Sequence, residues 1–283
     1  MLRPLSLALS MTLAAGFAAE AFAEEAVITT GGRGGSYFST GENLAEVLAE
    51  YNYQATAVKS LGSVENIERV ANGEAALGFT QIDALAWWIN RNPEQAPKLK
   101  LLGELYPECV YIAVNSKGDI GNEDDLQSSK AKVAVQKRGS GSAVSWAYIQ
   151  ELEPAFGRGA TYYQGGLQLL NEIANNSESE VNAFLWVSNP QNLEQKFLRT
   201  VLENDNLELL DIKDWNLNNK HPELGRPIYR FEEPEVAKGL IFDKELNTIC
   251  MDAVVIGGAS ADDDMIDDVV EILTLNRARL FSD

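Results

Sequence analysis

The sequence predicts an α/β protein of two lobes, and three observations carry that reading. Short apolar runs alternate with segments of helical periodicity over most of the chain. That is the rhythm of strand–helix–strand units with mainly parallel sheets. A glycine-rich turn set between an apolar run and a helical segment occurs twice, at Gly31-Gly32-Arg33-Gly34-Gly35 and at Gly139-Ser140-Gly141-Ser142. The chain has 283 residues and, even without its first 23, is long enough for two domains of ordinary size.

Those first residues read as a removable secretory signal. Arg3 gives a positive start, Leu5 to Ala19 is mostly apolar, and Ala21-Phe22-Ala23 has the small-x-small pattern of a cleavage site. The apolar run is shorter than the ~20 residues of a membrane span. Ala26-Val27-Ile28 is then a strand and Asn43 to Tyr51 a helix, with Leu44, Val47, Leu48 and Tyr51 spaced along one face. Between them, the stretch Thr29 to Gly41 reads as a binding loop. Its glycines let the backbone approach a guest closely, and it leads into a helix N-terminus that favours an anion. It is not a nucleotide loop. No Gly-Lys-Ser/Thr triplet follows, and Tyr37 takes the last glycine's place in a G-x-G-x-x-G pattern begun at Gly32.

Further on, Gln54 to Val58 is a strand, and Ser63 is the natural N-cap of a helix with Val64, Ile67 and Ala71 as its stripe, ended by Asn72-Gly73. Ala75 to Thr80 is a buried strand, and a helix opens at Gln81-Ile82-Asp83 and runs through Trp88, where Trp87-Trp88 serve packing and rim. Leu99 to Leu105 and Val110 to Val114 are two strands around Tyr106-Pro107-Glu108. The rhythm then restarts. Lys132 to Gln136 is a strand, the second glycine turn follows, and Ala143 to Leu152 is a helix packing through Val144, Ala147, Tyr148 and Leu152. Strand 160–163, helix 167–175, apolar run 181–187, a helix from Asn189-Pro190 through Leu202 and strand 207–212 continue the pattern. Asn216 to Glu235 reads as irregular, Thr248 to Ile256 as a strand and Met265 to Phe281 as a helix, with Asp262-Asp263-Asp264 an acidic helix start.

Two copies of strand, glycine turn and helix suit two lobes whose helix N-termini face one another across a cleft. Such lobes close on a small ligand by a hinge, a two-lobe periplasmic-binding-protein-like fold. The expected boundaries are 24–110 with 254–283 for one lobe and 111–253 for the other, with Val110–Val114 and Ala253–Ile256 crossing between them.

Composition narrows the partners. A net charge of −19 repels nucleic acid and anionic membrane, and losing Arg3 and Glu20 together leaves it unchanged. No later segment has the length to insert in a bilayer. The single histidine, His221, reads as a solvated loop residue and cannot build a multi-histidine metal site. Cys109 and Cys250 lack the close spacing of a zinc site, and in an exported chain they are either a disulfide or two buried thiols. No G-x-S-x-G elbow occurs, so neither metal, cofactor nor catalytic residue is expected.

Five motifs in register carry a family resemblance: Gly34-Gly35-Ser36-Tyr37-Phe38, Gly62-Ser63-Val64-Glu65-Asn66-Ile67, Asn72 to Asp83, Leu105-Tyr106-Pro107-Glu108 and Gly139-Ser140-Gly141-Ser142. The set resembles the TAXI family, solute-binding subunits of one branch of tripartite (TRAP) transporters. The resemblance implies a periplasmic receptor that captures a small organic acid or amino acid, of the glutamate or 2-oxoglutarate kind, and passes it to a TRAP permease. It places ligand contacts at Ser36, Tyr37, Asn66, Gln81, Ser140, Gly141 and Ser142, with Gly35 and Ser63 beside them. Arg33 and Arg138 depart from the family pattern. Each is either a bidentate grip on a ligand carboxylate or a solvated surface arginine. Tyr37 and Trp186 are either pocket walls or core aromatics. The competing readings are an ABC-type or sensory receptor of the same fold and, from another class, an exported enzyme.

Overall fold

The computed structural model describes residues 25–175, 179–237 and 244–281, so the signal-like segment lies outside the described residues. The strands, in chain order, are β1 (Ala26–Thr29), β2 (Ala55–Val58), β3 (Leu77–Gln81), β4 (Lys100–Asn115), β5 (Lys132–Ala134), β6 (Ala160–Tyr162), β7 (Ala183–Ser188), β8 (Leu207–Leu209), β9 (Arg230–Glu232), β10 (Glu235–Ala237), β11 (Lys244–Glu245) and β12 (Thr248–Gly257). The helices are α1 (Ser36–Glu50), α2 (Ser63–Ala71), α3 (Ile82–Arg91), α4 (Glu123–Leu126), α5 (Gly141–Leu152), α6 (Leu167–Asn175), α7 (Lys196–Leu202) and α8 (Asp263–Leu275).

Ten strands form one curled sheet in the order β2-β1-β3-β12-β4-β7-β5-β6, with β8 on β4 and β9 on β12. The expectation of mainly parallel sheets needs correction: the sheet is mixed. Pairs β1–β2, β1–β3, β5–β6 and β5–β7 are parallel, whereas β12 runs antiparallel to β3 and β4, and β4 runs antiparallel to β7 and β8. The reason is the pair of long central strands. Each serves both halves of the sheet, and the two traverse it in opposite directions.

Strand β4 is one element where two were expected. Its first part pairs with β12 from Lys100 to Cys109, and from Cys109 to Val114 it also pairs with β7. Pro107 lies opposite Asp252, and the register shifts just before it, between Glu104 and Tyr106. Cys109 lies opposite Cys250 at that transition, and the two are joined as a disulfide, which settles the alternative left open by the sequence. Every residue of β12 is buried, as befits a central strand covered on both faces.

Several boundaries move. Helix α1 begins at Ser36, within the stretch expected to be loop, and buries Leu44, Val47 and Leu48. Gly62, not Ser63, is the N-cap of α2. The segment after Asn189-Pro190 is turn-like and its helix starts only at Lys196. Strand β8 stops at Leu209, and the polar stretch 216–235 contains β9. The last helix ends at Leu275 and a 3-10 turn, Arg277–Phe281, follows it. Asp262 is its N-cap, accepting from the Met265 N–H at 2.6 Å.

His221 is corrected outright. It is buried, its Nε2 lies 2.9 Å from Asn90 Oδ1, and its Nδ1 accepts from the Leu224 N–H. That pattern makes Nε2 the protonated nitrogen. Burial lowers its pKa. Polar neighbours in sequence marked a loop, but this loop folds back against α3.

Of three apolar clusters among the described residues, one links the two halves of the sheet, from Ile67, Leu85 and Trp88 to Val133, Val144 and Trp146. Helices α3 and α5 pack together within it. Asp83 at the start of α3 is completely buried there. It accepts from the Ala84 N–H and, at 2.8 Å, from the hydroxyl of Tyr229, which also lies 3.3 Å from the carbonyl of Ser145 on α5. Burial raises the Asp83 pKa, opposed by these donors.

Candidate functional site

Both glycine turns end at helix N-termini, and the fold brings those termini to one place. A cavity of about 290 Å³ is lined by Gly35, Ser36 and Tyr37 at the head of α1, Gly62 and Ser63 at the head of α2, and Ser140, Gly141 and Ser142 at the head of α5. Gln81, Glu108, Gln136 and Asn189 complete its polar wall. The first N–H groups of a helix lack intrahelical partners, so three positive dipole ends converge on this space.

Close approach across the cavity explains two glycines. A Cβ on Gly62 would sit 3.1 Å from the Gly139 carbonyl oxygen and 3.2 Å from the Ser140 Cα, and its φ of +138° is one that side chains rarely adopt. A Cβ on Gly141 would overlap Gln81 Oε1. The turn at Gly62 and the second glycine turn therefore meet nearly backbone to backbone.

The serines differ in what they already do. Ser140 caps α5 by accepting from the Ala143 N–H. Ser142 Oγ accepts from the Val187 N–H and the Gln136 side chain at 3.1 and 3.0 Å, tying the turn to β7. Gln136 holds a left-handed backbone, φ 65°, unusual for a residue other than glycine and common at ligand clamps.

Glu108, the last residue of the Leu105-Tyr106-Pro107-Glu108 motif, is a cavity residue that its place in the sequence did not reveal. Its Oε2 accepts from the Tyr37 hydroxyl at 3.1 Å. What signal there was is a carboxylate just after a proline, directly before the apolar run Cys109 to Val114. Burial pushes its pKa up to about 7, helped by the charge of Asp83 and opposed by the donors Tyr37 and Gln81. The folded carboxyl therefore keeps its proton to about pH 7, whereas the ordinary value is 4.5. Its share of stability is complete below that ordinary value and is lost as pH rises through the folded one. In urea denaturation of unliganded protein, Glu108→Gln should gain on the order of 1–2 kcal/mol over the parent between pH 5 and pH 8.

Four expected contacts do not reach the cavity. Asn66 is completely buried beneath it, where it receives the Thr29 hydroxyl and donates to the carbonyls of Thr30 and Phe79. Trp186 is a core aromatic, stacked on Tyr111 and Phe184 at 5.3 and 5.6 Å with its indole N–H on Gln195. Arg33 is exposed, its guanidinium 5.8 Å from the centre of the Phe38 ring. Arg138 is exposed too and lies 3.6 Å over Tyr163. Both guanidiniums lie over aromatic rings, and neither lines the cavity. Gly62, Glu108 and Gln136 stand in the site instead.

A larger groove of about 1050 Å³ flanks the other side of Ser36 and is lined by Arg230, Asp252, Arg277 and Phe281. Its Arg230 is already paired with Asp252 and Glu232. The smaller cleft is where both turns meet, and it is the candidate site. Among the described residues, the one cluster with metal-ligand geometry is Cys109, Glu232 and Cys250, whose sulfurs are bonded to each other.

A doubly covered mixed sheet, two long strands shared by its halves, and a cleft where helix N-termini converge define a two-lobe fold of the periplasmic-binding-protein kind. Solved structures bear this out. The chain is similar to the ligand-binding core of GluR0 in complex with L-glutamate, with TM-score 0.52, 14% identity, and coverage of 92% of this chain and 96% of that one. It is similar to a putative binding component of an ABC transporter from Wolinella succinogenes complexed with lysine, with TM-score 0.51, 11% identity and coverage of 91% and 94%. XAC2383 from Xanthomonas citri bound to ATP gives TM-score 0.55 at 9% identity, covering 90% and 83%. The chain belongs to the NMT1-like family, whose model matches residues 28–281.

Proposed function

We propose that this protein is an extracytoplasmic solute receptor that closes two lobes on a small organic acid or amino acid and delivers it to a membrane permease. The observation that carries this reading is the convergence of three helix N-termini on one small cavity between the two glycine turns. Such a site binds a carboxylate through backbone N–H groups without a resident cation. The lobes are proposed as 24–110 with 254–283 and 111–253, which puts α1 and α2 on one side and α5 on the other. Export rests on the signal-like segment 1–23. Among the described residues no helix is long and apolar enough to cross a membrane.

The TAXI-like motifs support a TRAP-type permease as the partner. The likeness to the Wolinella component, described as part of an ABC transporter, favours an ABC-type receptor as the second reading. Co-reconstitution of the receptor with either type of permease in proteoliposomes, scored by solute uptake, separates the two. Receptor against enzyme is tested by thermal denaturation with candidate solutes: stabilisation without turnover is the expected result, because the ligand binds only the folded state. Arg33→Ala should leave solute affinity within about twofold, since exposed side chains outside a site contribute little. Isothermal titration checks it, and a loss of tenfold or more would return Arg33 to the site.

A further inference from the structure

The polar groups of the cleft divide into two sets of opposite character. On one side are the backbone N–H groups heading α1, α2 and α5, all donors. On the other side are two acceptors. Glu108 has no lysine, arginine or histidine pairing with it among the described residues, and none of these residue types lines the cavity. Gln81 is 4% exposed, lines the cavity, and its Oε1 has no hydrogen-bond partner. A buried acceptor without a donor is costly, and native structures keep few of them.

We propose that Glu108 and Gln81 form a subsite for a ligand ammonium group, so that the receptor takes α-amino acids and rejects the matching 2-oxo acids. This rests on the receptor reading above and adds the charge the ligand must carry. The ammonium offers three N–H donors, enough for Glu108, for Gln81 Oε1 and for a third acceptor. The ligand carboxylate, a short distance away on the same carbon, lies at the helix N-termini. An amino acid zwitterion thus matches both halves of a cavity of about 290 Å³. Above pH 7, where Glu108 is ionised, a 2-oxo acid brings a carbonyl oxygen to the same place, where it faces a carboxylate and an amide oxygen and satisfies neither. Sites built to bond a ligand N–H reject the analogue lacking it by large factors. Tyr37, which donates to Glu108 Oε2, holds the carboxylate in place without neutralising it.

The test is isothermal titration of the chelator-treated protein at about pH 8, where Glu108 is ionised, with matched pairs that differ only at the amino position: L-glutamate against 2-oxoglutarate, L-alanine against pyruvate, L-leucine against 4-methyl-2-oxopentanoate. Whichever side chain fits, the amino member should bind at least ~100-fold more tightly. Glu108→Gln, with its denaturation midpoint measured alongside, should weaken the amino member roughly tenfold to a hundredfold and leave the oxo member no weaker. Glu108→Asp should recover part of the loss. An oxo acid that binds within threefold of its amino partner overturns the subsite while leaving the receptor reading intact. So does an oxo acid that matches its partner only when a metal ion is restored. Unchanged amino acid affinity in Glu108→Gln overturns it as well. Failure of every pair to bind removes both the subsite and the reading of a small amino or organic acid receptor.

Discussion

Replacing Cys109 and Cys250 together by alanine is expected to cost several kcal/mol of stability. The bridge closes a separation of 141 residues. Chain-entropy arguments for a loop of that size give about 5 kcal/mol, and native bridges commonly contribute about 2–4 kcal/mol. For a chain of this length each kcal/mol moves the melting midpoint by roughly 2–4 °C, so a drop of roughly 5–15 °C is expected. Position matters as much as loop length. Both sulfurs are completely buried, at the point where β4 leaves its pairing with β12 alone and takes up β7. Calorimetry of the double variant, and of the parent with reductant under denaturing and native conditions, checks the result. The parent should resist reductant while folded, because neither sulfur meets solvent. A midpoint unchanged within a degree would show that the packing of β4 against β12 needs no covalent link.

Asn66→Ala is expected to cost roughly 2–5 kcal/mol and to abolish solute binding at the same time. The side chain is completely buried and makes three hydrogen bonds: Thr29 Oγ1 donates to its Oδ1 at 2.7 Å, while its Nδ2 donates to Phe79 O at 2.7 Å and to Thr30 O. It thereby ties α2 to the ends of β1 and β3, the strands that launch the first turn and Gln81. Truncation strands buried partners at about 1–3 kcal/mol each. Thr30 retains a second donor, the Ser60 hydroxyl at 3.2 Å, so the total falls short of three full penalties. Urea denaturation gives the stability, and titration of the still-folded fraction gives the affinity. Were Asn66 a ligand contact in its own right, affinity would fall with little change in denaturation midpoint. The geometry requires the two to fall together.

Much of this architecture is legible in the residues. The faces Leu44, Val47 and Leu48 on α1, or Ile67 and Ala71 on α2, follow from helical spacing, because one stripe must meet the sheet. The two turns are visible because glycine density is rare enough to stand out, whereas the capping role of Ser140 shows only in the bond it accepts from the Ala143 N–H. What fails to show is whatever depends on which residues meet. Helix α3 and the first part of β4 separate Gln81 from Glu108 in the chain, and only the pairing of β3 with β12 and of β12 with β4 places them on one cavity. Arg33 and Arg138 offered the right chemistry for a carboxylate, yet both lie over aromatic rings and neither lines the cavity. His221 looked solvated because its neighbours in sequence are polar, whereas in space it is buried between Asn90 and the Tyr148 ring.

Local order alone, then, determined the alternation of strands and helices, the two glycine turns and the absence of the common catalytic signatures. Periodicity, φ freedom and capping act over a few residues, and a reader of the chain has those residues in view. Tertiary structure alone decided that the sheet is mixed, that the cysteines are bonded, and that the cleft sets three helix N-termini beside Glu108, which pairs with no cation among the described residues. Those features arise from contacts between distant segments. Their energies come from burial and from desolvated charge, which no single stretch of sequence contains.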